Sequence, residues 1–227
     1  MSAPIELFLF DLDHPLPDGA NDWLAAAERA RAGRFATARL RHRFTAGRAT
    51  LRRLLAERIG AHPADVTLRE DPDGKPRLAE GRLAFNLSHA GRHALLAIGP
   101  AGMEIGVDIE EMRAVLDLEA LAPVCLTLAE RTEFAALADD ATRREAFLRL
   151  WVRKEACLKA MGTGLRIEPT EFPVGFAPPA PDWPARVHRT ELRVADLDVG
   201  LPGLAAAFAV VGARAMPPLA PLARLAR

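Results

Sequence analysis

Four short stretches of this chain carry residue types that could do chemistry. The first, Gly106-Val107-Asp108-Ile109-Glu110, sets two carboxylates two residues apart. On a strand, period-two alternation turns both to one face. Clustered acids repel, so a cation is the usual reason to keep them together. Oxygen-only donors suit Mg²⁺, which commonly takes one or two carboxylates with phosphate oxygens and waters. The plain alternative is an edge strand running into solvent, with Glu111 extending the acidic run; on this stretch alone that alternative is favoured. The second stretch, Trp151 to Lys159, places Glu155 and Lys159 four apart, on one face of a helix. Its plain meaning is a surface ion pair worth about 0.2–0.5 kcal/mol. Its functional meaning is a carboxylate and an ammonium aimed at one ligand. The third, Phe85-Asn86-Leu87-Ser88-His89, ends a strand in three polar groups: backbone caps of a hairpin, or an anion contact by Ser88 and His89. The fourth, Gly74-Lys75-Pro76, puts a lysine on a rigid turn.

The lysine count sharpens this. The chain has three lysines, Lys75, Lys154 and Lys159, and all lie in these stretches. Arginine fills nearly every generic basic position. A lysine kept in such a background can do what a planar guanidinium cannot. Ten arginines fall between Glu28 and Arg58, a candidate anion-binding segment, although a solvated helix face accounts for most of them. Other chemistries are not supported. The sequence has no P-loop, GxGxxG or GxSxG. Its two cysteines and six histidines lack zinc spacing. Cys157 reads as buried filler. Ser88 and His89, as strand neighbours, point to opposite faces and make no triad.

The elements that must position these residues follow from periodicity. Strands are predicted at Ile5–Phe10, Val66–Arg69, Leu83–Leu87, Ala94–Ile98 and Ile105–Ile109, the last three as a meander. Late strands are predicted at Glu191–Val194 and Leu204–Val211. Helices are predicted at Asn21–Ala32, Ala46–Ile59, Asp117–Ala122 and Ala129–Leu137. A long one, Thr142–Met161, stops at Gly162. Thr127-Leu128-Ala129-Glu130 fits a capping box. Phe172–Trp183 is a proline-rich loop, and Ala213–Arg227 reads as a loosely docked tail.

The chain is 227 residues long, half hydrophobic and of zero formal net charge. That is a soluble, globular composition for one large domain or two small ones. It argues against a general nucleic-acid or membrane binder, and no apolar run approaches the ~20 residues of a membrane span. Two cysteines make no disulfide framework, and no signal peptide is visible. A reducing cytoplasm is the expected setting.

In order and spacing, GKP, FNLSHAG, GVDIE and WVRKEACLKAMGTGL resemble the 4′-phosphopantetheinyl transferases, in their larger, Sfp-like class. The clear resemblance runs from about Lys75 to Leu165; Arg48-Ala-Thr-Leu-Arg-Arg-Leu-Leu is similar to the family's N-terminal helix. The resemblance implies an α+β fold in a pseudo-two-fold arrangement of two similar α/β halves, with the active site between them. It implies an N-terminal half, 1–103, with coenzyme A contacts. A C-terminal half, 104–212, would hold the metal site and catalytic helix, and 213–227 would be a tail. The implied reaction moves phosphopantetheine from coenzyme A to a serine of an apo acyl or peptidyl carrier protein and releases 3′,5′-ADP. Asp108, Glu110 and Glu155 would hold Mg²⁺. Glu155 would also be a base for the serine, and Lys159 would contact the phosphates and ease departure of the ADP. Arg48, Lys75, Ser88 and His89 would bind the 3′-phosphate and nearby groups, with Arg43 as a helper. The implied protein is a monomer.

Two departures stand out. Ala90 replaces a small hydroxyl residue, and Cys125-Leu126 replaces aromatics before Thr127. Two other functions fit the same residues: a non-catalytic module binding carrier protein or coenzyme A, and a Mg²⁺-dependent nucleotide hydrolase.

Overall fold

Residues 3–112, 117–176 and 183–225 are described in this computed structural model. The N-terminal part runs β1 (Glu6–Asp11), α1 (Ala20–Trp23), α2 (Ala26–Gly33), α3 (Ala38–Ile59), β2 (Leu68–Glu70), β3 (Pro76–Leu78), β4 (Leu83–Ala90) and β5 (His93–Pro100). The C-terminal part runs β6 (Ile105–Glu111), α4 (Leu118–Cys125), α5 (Leu128–Ala135), α6 (Asp140–Met161), β7 (Trp183–Val187), β8 (Thr190–Asp196) and β9 (Leu204–Val211), and the short β10 (Ala223–Arg224) follows. One sheet has the order β10-β1-β5-β4 and the other β6-β9-β8-β7; β2 and β3 form a separate hairpin. Each sheet carries one 22-residue helix, α3 on the first and α6 on the second. This is the α+β, two-halves architecture.

Alternation along the strands explains the layering. On β1, Phe8 and Phe10 pack with Leu51, Leu54 and Leu55 of α3. Leu7 and Leu9, facing the other way, join Ile105, Val107, Ile109, Phe208 and Val210 between the sheets. A strand covered on both faces reads as a near-continuous apolar run, which is what ELFLF is. Each such side chain contributes about 1.5–3 kcal/mol on burial. Among the described residues no helix is long and apolar enough to cross a membrane.

The fold departs from the predicted elements at several points. The predicted meander breaks: β6 pairs with β9, not β5, and opens the second sheet. The helix predicted over 21–32 is two, because Leu24 is extended and buried against Ala20 and Ala49, and α2 restarts with Glu28 accepting from the Ala25 N–H at 2.9 Å. Helix α3 begins at Ala38, capped by Thr37, eight residues before the predicted start; the first turn of that stretch is exposed and so lacks the apolar pattern. Part of the predicted proline-rich loop, 177–182, lies outside the described residues, and its last predicted residue, Trp183, opens β7. The tail does not hang loose: β10 adds a parallel strand to β1, and Arg224 donates to the carbonyls of Val199 and Gly200.

Candidate active site

The site lies where the edge strands β4 and β6 of the two sheets meet. Gly106, Asp108 and Glu110 alternate away from the inter-sheet core, toward α6. Helix α6 lies so close that a Cβ on Gly106 would stand 2.2 Å from the Ala156 carbonyl oxygen and 2.3 Å from the Ala160 nitrogen. Only glycine permits that approach. Three side chains of the N-terminal half stitch the seam. Asn86 accepts from the Val107 N–H at 2.8 Å, Ser88 donates to Asp108 Oδ1 at 2.8 Å, and Lys75 donates to the Ile105 carbonyl at 3.0 Å.

From Trp151 to Ala160, α6 is buried on every side but one. Only Trp151, Glu155 and Lys159 reach solvent, at four-residue spacing. With Leu87, Ser88, His89, Asp108 and Glu110 they line a cavity of about 200 Å³. A second cavity of about 350 Å³ shares Leu87, Glu155 and Lys159 and extends past Lys75, Pro76, Gly162 and Gly164. The two form one cleft along the seam.

Lys159 reaches across to Asp108 Oδ1 at 2.5 Å and to Ser88 Oγ at 2.9 Å, rather than back to Glu155. The surface ion pair is therefore not the arrangement present. Asp108 is buried, and its Oδ2 has no hydrogen-bond partner. Burial pushes its carboxyl pKa up, opposed by Lys159. Burial, then the negative charge of Asp108, raises Glu155 as well. His89 keeps an exposed face, yet crowding by neighbouring atoms and then the Lys159 ammonium hold its imidazole below the usual value. Among the described residues no three His, Cys, Asp or Glu side chains converge as a ligand cluster. The three acids instead face one cavity, and the Lys159 ammonium stands on the most buried of them.

Seven of the eight residues named for metal, catalysis and coenzyme A line the cleft; Arg48 does not. It lies on α3, 3.3 Å from Glu28 Oε1, with its buried Nε making no hydrogen bond. Lys75 borders the cleft, but its ammonium is committed to protein acceptors. Arg43 is held by both oxygens of Asp13, at 2.5 and 2.7 Å. Sequence reasoning missed Arg31. Its guanidinium stands over the Phe44 ring at 5.4 Å, with Arg48 over the same ring at 5.8 Å, and its charge is felt by both Arg48 and His89. No local spacing marks that arginine among ten.

The motif's other two charges are structural. Arg153 is fully buried and grips Asp196 through two bonds, at 2.6 and 2.7 Å. Lys154 is fully buried and donates to Glu130 Oε2 and the Pro169 carbonyl, both at 2.6 Å, and to the Phe172 carbonyl at 2.9 Å. Glu130 closes the predicted capping box with Thr127 and also accepts from the Val174 N–H. Cys157 is filler as expected, its thiol pushed up to about 12 by burial. Ala90 packs in the core between the sheets, and Leu126 in the core beneath α6.

A family model described as 4′-phosphopantetheinyl transferase superfamily matches residues 104–197, and one described as 4′-phosphopantetheinyl transferase, N-terminal, matches residues 18–101. The 4′-phosphopantetheinyl transferase HetI of Nostoc sp. is 38% identical over 188 residues, covering 79% of this chain and 78% of that protein. The chain belongs to the 4′-phosphopantetheinyl transferase superfamily. A 4′-phosphopantetheinyl transferase of Bacillus subtilis is 30% identical, covering 72% of this chain and 73% of its own length. The L-aminoadipate-semialdehyde dehydrogenase-phosphopantetheinyl transferase of Homo sapiens is 31% identical over 67% of this chain, which spans 54% of that relative.

Proposed function

We propose that the protein transfers 4′-phosphopantetheine from coenzyme A to a serine of an apo acyl or peptidyl carrier protein, with Mg²⁺, releasing 3′,5′-ADP. The observation that carries this is the pairing, within one cleft between the halves, of a buried acid with an unpartnered oxygen and a lysine that can reach solvent.

A buried carboxylate oxygen with no partner is costly unless something positive meets it. Asp108 Oδ2, Glu110 and Glu155 form an all-oxygen donor set around one cavity, which suits Mg²⁺. When bound there, the ion supplies Lewis-acid stabilisation of charge on the pyrophosphate. The remaining work falls to the chain. Glu155, with its raised pKa, accepts the proton of the serine hydroxyl as the oxygen attacks the phosphorus bearing the pantetheine arm. The bond from that phosphorus to the ADP oxygen breaks, and Lys159 turns from Asp108 to neutralise the departing phosphate. Phosphoryl-type transfer of this kind depends on positioning and charge more than on covalent catalysis. Ser88 and His89 offer hydrogen bonds at the rim, and Arg31, which shares the Phe44 ring with Arg48, adds positive charge near His89 for the 3′-phosphate.

The protein acts as a monomer in the cytoplasm. Its first 103 residues supply the coenzyme A contacts, and 104–212 supply the metal site and catalytic helix.

The test is acceptor dependence. With coenzyme A and Mg²⁺, release of 3′,5′-ADP is expected only when an apo carrier protein is added, and to stop with a chelator. Release without carrier supports a hydrolase instead. Binding of carrier and coenzyme A with no release supports a non-catalytic module.

A further inference from the structure

Lys75 was expected to bind phosphate, but its surroundings fit a different task. Its side chain is 7% exposed. The ammonium donates to the Ala160 carbonyl at 3.0 Å, the Ile105 carbonyl at 3.0 Å and Glu104 Oε2 at 3.2 Å. An ammonium has three hydrogens, and all three have acceptors within the protein. Ala160 lies in the last turn of α6, directly after Lys159. Its carbonyl belongs to the helix end that has no intrahelical donor, where a cation is favoured. Ile105 opens β6, the strand of Asp108.

The hairpin that carries Lys75 is itself built to hold it there. Asp71 Oδ1 accepts from the N–H groups of Asp73 and Lys75, at 3.1 and 2.9 Å. Arg77 binds both oxygens of Glu104, at 2.7 and 2.9 Å, and Asp71 Oδ2 at 3.1 Å. Gly162, at the end of α6, lies under this turn; a Cβ there would meet Asp71 and Lys75 at 3.3 Å.

We infer that Lys75 is a positioning residue, a latch that ties the end of α6 to the start of β6 and so fixes Lys159 over Asp108, and that it does not bind the 3′-phosphate. Its kinetic part rests on the transfer function proposed above; the geometric part does not. A planar fork could not serve three acceptors arranged around one nitrogen.

Because the chain has three lysines, their ammonium groups give three resolvable signals in a sample ¹⁵N-labelled at Lys Nζ. On adding coenzyme A, the Lys75 signal is expected to stay in place and remain slow to exchange with water, while Lys159 shifts. A Lys75 shift comparable to that of Lys159 overturns the inference, and this needs neither a variant nor catalysis. In a second test, Lys75→Met, which keeps the volume, is expected to lower kcat by up to about 100-fold with coenzyme A and 3′-dephospho-coenzyme A alike. The preference between them should be unchanged. Unchanged kcat with loss of that preference identifies a phosphate ligand and contradicts the latch. A parent protein inactive on all carriers would count against the proposed function, and the NMR result would still decide the latch.

Discussion

Gly106 of β6 and Ala156 of α6 touch backbone to side-chain position, with no room for a methyl group between them. This contact sets the depth at which the helix lies on the strand. It thereby sets whether Glu155 and Lys159 can share a cavity with Asp108 and Glu110.

Gly106→Ala is therefore expected to act on both stability and chemistry. The new Cβ meets backbone atoms that cannot swing aside, so α6 must lift. Overpacking of this kind costs about 1–3 kcal/mol. Loss of alignment should slow transfer by up to about 100-fold. Denaturant unfolding and transfer kinetics on the same preparation check both. A variant of full stability and full rate would show that the close approach is not needed.

The adjacent lysines of α6 should separate cleanly. Lys154→Ala leaves Glu130 charged and buried and cuts two loop carbonyls loose. A cost of about 3–5 kcal/mol is expected. Lys159→Ala should cost no more than about 1–3 kcal/mol, because Asp108 can take up a proton instead, yet it should abolish transfer. Lys159→Arg should also lose activity, since a fork replaces a point charge. Urea melts beside rate measurements test the contrast; equal stability losses for the two alanine variants would contradict it.

Glu155→Gln should remove activity without weakening the fold. The folded-state pKa of Glu155 is raised above its ordinary value. The native state therefore holds its proton longer than the unfolded chain, and stability falls as pH rises through that window. A neutral glutamine avoids the loss. The melting temperature of the variant should equal or exceed that of the parent near neutral pH, and the parent alone should be further stabilised by Mg²⁺. Equal Mg²⁺ stabilisation of both proteins would remove Glu155 from the metal set.

His89, whose pKa is shifted the other way, gives a pH dependence in ligand binding instead. Its pKa is lowered in the free protein, so the imidazole is neutral near neutral pH. A phosphate group beside it favours the protonated form. Coenzyme A affinity should therefore rise as pH falls between about 7.5 and 6, with proton uptake on binding. Calorimetry in buffers of different ionisation enthalpy measures that uptake. His89→Ala should abolish the slope, and a slope that survives would place the proton elsewhere.

Much of this site could be read from local spacing. Asp108 and Glu110 share a strand face, Glu155 and Lys159 share a helix face, and Gly162 ends the helix. What could not be read depends on partners far along the chain. Lys154 looks no different in sequence from a surface lysine until Glu130 is folded beneath it. Lys75 looks like an exposed turn residue until α6 ends against it. Asn86 looks like a turn cap until it meets Val107 across the seam. The same holds for β10, whose two residues carry no pattern and gain their strand only by pairing with β1.

On the function proposed above, this seam joins phosphopantetheine to a serine. The most direct test is the intact mass of apo carrier proteins after incubation with coenzyme A, Mg²⁺ and either the parent protein or Glu155→Gln. A gain of one phosphopantetheine arm is expected on at least one carrier with the parent, located on a serine, and none with the variant. No gain on any carrier of a broad panel, or an equal gain with both proteins, would contradict it.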